Sequence, residues 1–332
     1  MNNKKNVLLV DPTSINHLPP KILDKSENDR SKKYSEALNL AVSKKLNGNE
    51  NIINAFSGKF AVNYGLLMLG YLLSKKNINV KLISGDYFNT ENEFLNYLTR
   101  VACEYQVAAL TSTTPQFEQV KRINMTLKKS NKYIQTILGG PHTLYYKTAP
   151  ADDDIDIIHI GYGIDKSAEA IEDVLNGKKI KDKIIKTDYY FDTKKAFYLI
   201  PKNQIDNTML YSYLSFGCPN NCNYCMEHKL VKKLCYNNID EKLEEISILV
   251  NKYNRKFIHL ADSDFLLNRI YLKEFLEKLE KKNLKCCFSI NANPNTISDE
   301  RNFELIDKFV KLRISGNLNR GRAFFSKSIK NT

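Results

Sequence analysis

Cys218-Pro-Asn-Asn-Cys222-Asn-Tyr-Cys225 sets three thiols at x3 and x2 spacing, in a turn-forming run that opens on Gly217 and Pro219. A loop this short can fold three thiolates toward one point, a soft anionic site with one side open. Closed structural zinc sites take four ligands, usually as two separated pairs. Iron–sulfur clusters are also held by thiolates, usually four. Three cysteines therefore point to a cluster with one iron left for a group that is not protein. A zinc site completed by His228 or Cys235 is the alternative that residue types leave open. Further along, Asp262-Ser263-Asp264 ends a short apolar run. An acidic strand-end loop of this kind is a common turn.

The elements that must position these groups can be read from periodicity. Tyr211–Phe216 predicts a strand with the cysteine loop at its carboxyl end. Strands are also predicted at Lys256–Ala261 and Lys285–Ile290, the latter carrying Cys286 and Cys287 as small apolar residues. Helices are predicted at Asp240–Asn251 and Ile270–Lys282, and a third one capped by Ser298. Strand-then-helix units with functional loops at the strand ends follow the logic of a β/α barrel. Ser289, Asn291 and Asn293, at the end of the third strand, could line a cavity or form a solvated turn.

The first half alternates in the same way. Strands are predicted at Asn6–Val10, Asn79–Ser84, Val107–Thr111, Tyr133–Leu138 and Asp156–Ile160. Helices are predicted at Phe60–Ser74, Glu91–Tyr105, Pro115–Ser130 and Asp165–Leu175, with a further one around Lys33–Lys45. This pattern predicts a doubly wound parallel sheet of five strands. Ligands of such sheets sit beyond the strands' carboxyl ends. There the sequence places Thr111-Ser112-Thr113-Thr114-Pro115, Gly139-Gly140-Pro141-His142 and Gly161-Tyr162-Gly163, hydroxyl- and glycine-rich loops that a backbone could use to approach a large ligand. The expected division is residues 1–177 as one domain, 178–210 as a linker, and 211–332 as the second domain.

The 332 residues suffice for two cores. The formal charge of +13 is spread along the chain without a basic stripe, which disfavours nucleic acid. Seven cysteines, three of them within eight residues, fit a reducing compartment and a metal site better than a disulfide framework. The longest apolar stretch, Phe60–Leu73, is too short to span a bilayer. The expectation is a cytoplasmic protein with no membrane partner.

The second half resembles the radical S-adenosylmethionine (SAM) superfamily, through Gly217-Cys-x3-Cys-x2-Cys and the aromatic Tyr224 before the last cysteine. The resemblance implies a [4Fe–4S] cluster on Cys218, Cys222 and Cys225, with SAM on the fourth iron. It also implies Tyr224 near the adenine and the amino group of SAM against Asp262, Ser263 and Asp264. The first half resembles the cobalamin-binding domain that precedes many such enzymes. That likeness implies cobalamin facing Thr111 to Thr114, Gly139 to His142, and Gly161 to Gly163. One departure concerns the Asp-x-His-x-x-Gly run that supplies a lower histidine ligand in other cobalamin proteins. Here the corresponding loop reads Asp11-Pro-Thr-Ser-Ile-Asn-His17, with the wrong spacing.

The implied activity is radical hydrogen abstraction from an unknown substrate, with methyl transfer through cobalamin, fed by a reducing electron donor. From Tyr211 onward the sequence offers three clear strands and, at Lys311–Ser315, a stub of a fourth. The second half is thus an incomplete β/α partial barrel, expected to be truncated or completed by a partner chain. A catalytically incomplete fragment that binds only cluster or cobalamin is the alternative.

Overall fold

The computed structural model describes residues 5–13, 63–146, 154–179, 182–187, 199–200, 202–205, 210–223, 225, 227, 233–255, 257–284 and 286–312. His17, Tyr224, His228 and the predicted helix around Lys33–Lys45 lie outside them. The described residues fall into two compact units that divide between residues 205 and 210. None of their helices is long and apolar enough to cross a membrane.

The first unit is built on β1 (Asn6–Asp11), β2 (Asn79–Ser84), β3 (Val107–Thr111), β4 (Gln135–Gly139), β5 (Ile157–Ile160) and β6 (Ile184–Lys186). Their order is β2-β1-β3-β4-β5-β6, and every pairing is parallel. The chain moves from β1 to one side, then returns to the other, so the order reverses between β1 and β3. Both strands are covered on two faces, which is why Val7–Val10 and Val107–Leu110 are apolar throughout. Among the described residues, the helices packed around this sheet include α1 (Tyr64–Lys75), α2 (Glu91–Val101), α3 (Phe117–Ser130), α4 (Pro141–Tyr146) and α5 (Ile164–Leu175). Phe94 and Leu98 of α2 and Ile123 and Leu127 of α3 pack with Leu8, Val10, Leu138 and Ile158 into one core. Gly70 lets α1 lie close to the sheet, because a Cβ there would come within 2.7 Å of Leu9.

Two expectations are corrected here. The sheet has six strands, since Ile184–Lys186, assigned to the linker, pairs with β5. Three residues at an exposed outer edge are too few to show an alternating pattern. The helix expected from Phe60 begins, among the described residues, at Tyr64, where the Asn63 side chain accepts the Leu66 N–H.

The second unit contains β7 (Tyr211–Ser212), β8 (Ser215–Phe216), β9 (Cys235–Tyr236), β10 (Phe257–Leu260) and β11 (Cys287–Ile290). Its helices are α6 (Ile239–Asn251), α7 (Arg269–Lys282), α8 (Pro294–Ser298) and α9 (Phe303–Leu312). A three-stranded parallel sheet runs β11-β10-β7, and β8 and β9 form a separate antiparallel pair. The single strand expected over Tyr211–Phe216 is therefore broken. At the break the buried Asp262 carboxylate, rather than a neighbouring strand, accepts the Leu214 N–H (3.2 Å). Ser298 is not a cap: it ends α8, and Asp299 accepts the Arg301 N–H to start the next turn. Lys311 belongs to the last turn of α9, not to a strand, and 313–315 lie outside the described residues.

Candidate functional site

In the first unit, sheet order brings the three predicted loops side by side on one edge. The β3 and β4 loops are joined by two backbone bonds, Ser112 N–H to Gly139 O (3.2 Å) and His142 N–H to Ser112 O (2.8 Å). Thr143 Oγ1 lies 2.9 Å from Gly140 O and 2.8 Å from His159 O, linking the β4 loop to β5. Gly140 has φ +101°, and a Cβ there would lie 2.6 Å from Thr111 Oγ1. Gly161 has φ +140°, and its Cβ would lie 2.1 Å from Thr187 Oγ1; Gly163 is crowded by the same threonine. These glycines are thus required by protein packing. Gly139 differs, because a Cβ there would meet nothing nearer than His159 at 3.9 Å.

Of the hydroxyl loop, Thr111 and Ser112 are buried, Thr113 is half-buried and Thr114 is exposed. His142 is buried, stacked on Phe117 with ring centroids 4.0 Å apart, and its Nδ1 lies 3.3 Å from Thr114 Oγ1. The loop after β1 is held to the β3 side by two buried glutamines. Gln116 donates to Thr13 O (2.9 Å), and Gln119 both accepts the Thr13 N–H (3.0 Å) and donates to Thr13 Oγ1 (2.9 Å). At the end of β1, Asp11 accepts the Asn63 N–H (2.9 Å). Its carboxyl is pushed up to about 7, chiefly by burial and further by the Asp86 charge, against the Asn63 bond.

In the second unit, Gly217 takes φ +86° and turns the chain off β8 into the cysteine loop. Cys218 is buried, Cys222 and Cys225 are half-buried, and all three are free thiols. The Cys225 N–H donates to Cys222 O (3.0 Å). Burial raises the Cys218 thiol most, and charges at Asp264 and Cys225 raise it further, against hydrogen bonds from Asn220. Among the described residues no three metal-ligating side chains converge to coordinate an ion. The structure gathers the three free cysteines on one loop. Register sets Cys235 opposite Phe216, beside the base of that loop.

The acidic loop after β10 lies against the same strand. Asp262 is buried; it accepts Ser215 O–H (2.6 Å) as well as Leu214 N–H, and burial raises its carboxyl. Asp264 is also buried, and takes the Leu266 N–H (3.3 Å) and the Thr296 hydroxyl (2.9 Å). Both carboxylates expected to meet an ammonium are, in this geometry, anchors of their own loops. Between them the exposed Ser263 lies near the Glu227 carboxylate, which also neighbours the Gly217 N–H. Burial raises the Glu227 carboxyl, and these two donors lower it. Glu227 thus stands between the cysteine loop and the β10 loop. Lying outside the cysteine spacing, it carried no signal of its own in the sequence.

No family model matches the chain. It is 25% identical over 240 residues to the anaerobic magnesium-protoporphyrin IX monomethyl ester cyclase of Rubrivivax gelatinosus, covering 63% of this chain and 43% of that protein. It is 22% identical over 265 residues to an uncharacterized methyltransferase of Pyrococcus horikoshii, covering 70% of this chain and 56% of that one. The chain thus spans about half the length of these relatives. Among solved structures it matches the radical SAM methyltransferase TsrM of Kitasatospora setae, with cobalamin and a [4Fe–4S] cluster bound, at a TM-score of 0.59 and 11% identity. With tryptophan and a SAM analogue bound, TsrM matches at 0.62 and 12% identity, over 93% of this chain and 57% of that one. OxsB, a cobalamin-dependent SAM radical enzyme with aqua-cobalamin and SAM bound, matches at 0.55 and 14% identity, over 93% of this chain and 42% of that one.

The fold is that of the cobalamin-dependent radical SAM enzymes. Both units take part in the likeness, since each structural match covers 93% of the chain.

Proposed function

We propose that the chain is the corrinoid-binding and cluster-binding part of a radical SAM enzyme, with Cys218, Cys222 and Cys225 as cluster ligands. The observation that carries this reading is the placement of three free thiols on a loop that leaves β8 at Gly217, next to the β10 loop. When bound, a [4Fe–4S] cluster with SAM supplies one-electron cleavage of the sulfonium, and a corrinoid supplies a methyl carrier. The chain's own part is position. Asp262 fixes the strand that leads into the thiols, and Glu227 stands beside Gly217 and Ser263. The free carboxylate set that the sequence suggested for the SAM amino group reduces to the exposed Ser263 and the neighbouring Glu227. In the first unit the corrinoid would rest on Thr113, Thr114 and Gly139, held without a histidine, because His142 is committed to Phe117 and Thr114. Methyl transfer, the substrate and the electron donor belong to this proposal.

Anaerobic reconstitution with iron and sulfide tests it. About four irons and four sulfides per chain, with an EPR signal on reduction that is lost in Cys222→Ala, supports the cluster. One zinc per chain with no sulfide would replace it with a structural thiolate site that recruits Cys235. Hydroxocobalamin absorbance retained after desalting tests the first unit separately, and 5′-deoxyadenosine released from SAM tests turnover.

A further inference from the structure

Behind the β5 loop lies a buried chain of three side chains that the cofactor reading leaves unused. Ser167 Oγ of α5 is 2.8 Å from His159 Nδ1, and His159 Nε2 is 2.8 Å from Thr187 Oγ1. The same Thr187 oxygen accepts the Gly163 N–H (3.0 Å). Thr187 follows β6, and its own N–H donates to Ile160 O (3.0 Å). Its side chain occupies the space where both Gly161 and Gly163 would carry a Cβ.

We infer that Thr187, backed by His159 and Ser167, is a positioning residue that presets the Gly161–Gly163 loop for the corrinoid. This rests on the corrinoid reading above. A neutral imidazole needs one donor and one acceptor, and a hydroxyl can be either, so two flanking hydroxyls satisfy the ring in both tautomers. Burial lowers His159 to about 4, which keeps the ring neutral at ordinary pH and the chain of bonds intact. The anchor follows the edge strand β6, so the loop is tied to a neighbouring strand and not only to its own ends. A loop already ordered loses less entropy when a ligand settles on it.

The test uses the full chain with Thr187→Val, which keeps the shape and removes the hydroxyl, and Thr187→Ser, which keeps the hydroxyl. Without any corrinoid, Thr187→Val should raise hydrogen exchange at the Gly163 amide roughly tenfold and shift the His159 ring-nitrogen resonances, while Thr187→Ser stays near wild type. With hydroxocobalamin as the probe, Thr187→Val should bind about tenfold more weakly and Thr187→Ser within about threefold of wild type. Equal binding by wild type and Thr187→Val overturns the positioning role, as does equal loss in Thr187→Val and Thr187→Ser. Failure of wild type itself to bind hydroxocobalamin overturns the corrinoid reading and, with it, the ligand half of the inference. In that case unchanged exchange in Thr187→Val overturns the loop half as well.

Discussion

Replacing Asp11 by Asn should change how the first unit's stability depends on pH, in a direction the structure specifies. Asp11 ends the central strand β1 and is buried beside Asp86, with its carboxyl moved from 3.8 to about 7. Below about pH 4 the group is protonated whether the chain is folded or not, and its stabilising contribution is fully present. Between 4 and 7 only the unfolded chain releases the proton, so stability falls by up to about 1.4 kcal/mol per pH unit. Above 7 the loss is complete, on the order of 4 kcal/mol for about three units. His159 runs the other way. Its value of about 4 against 6.5 means a contribution present above 6.5 and lost as pH falls toward 4, on the order of 3 kcal/mol. The two slopes oppose each other between 4 and 6.5, so the wild-type profile alone would look nearly flat. The difference between wild type and Asp11→Asn isolates the carboxyl, since an amide oxygen can still accept the Asn63 N–H. Two units need not unfold together, so a local readout suits better than a melt. Exchange protection of the β1 amides, corrected for intrinsic rates, should diverge between the two proteins from pH 4 to 8, with the variant better protected at the alkaline end. Parallel profiles across that range would refute a buried, proton-holding Asp11.

Three other outcomes follow from the geometry. Gly161→Ala should cost stability and weaken hydroxocobalamin binding, because its Cβ would lie 2.1 Å from Thr187 Oγ1; Gly139→Ala should melt within about 1 °C of wild type yet weaken binding if the corrinoid rests there. Lys242 and Glu245 form a fully buried pair at 2.8 Å, with Ser212 donating to Glu245 (3.0 Å). Lys242→Met alone should therefore cost about 3–5 kcal/mol in urea unfolding, while Lys242→Met with Glu245→Gln should recover most of it. Asp262→Ala orphans a buried N–H and a buried hydroxyl at about 1–3 kcal/mol each and should lower iron uptake on reconstitution, whereas Asp262→Asn should retain most of both.

What the sequence displayed was period and punctuation. β2 and β3 were readable to the residue: Val107–Leu110 is a continuous apolar run, and Val80, Leu82 and Ile83 of Asn79–Ser84 run up to the turn residue Gly85. β6 was hidden by its exposure and length, and the break between β7 and β8 by its cause, a carboxylate 48 residues away in sequence taking the Leu214 N–H. The glycine loops were visible, but the reason for them was not. Gly140, Gly161 and Gly163 answer to Thr111 and Thr187, side chains whose proximity only the sheet order creates. One usable signal was passed over. Gln116 and Gln119 lie three apart on a face shared with Val120 and Ile123, and two amides on a buried face announce a polar clamp.

The polar groups nearest both candidate sites are committed to their own loops, and this bears on how the sites would work. A ligand that had to order the cysteine loop, the β10 loop and the glycine loops on arrival would lose binding free energy to that ordering. Here Asp262 holds the approach strand, Gln116 and Gln119 hold Thr13, and Thr187 holds Gly163. The cysteine loop leaves β8 at Gly217, and the Cys225 N–H closes on Cys222 O. Cluster binding should order the segment between Cys218 and Cys225 further and leave its anchors in place. Exchange mapping before and after reconstitution should show protection gained within 218–225 and little change at Leu214 or in the β10 loop. Gains spread across those anchors would mean that the frame, too, is built by the cluster.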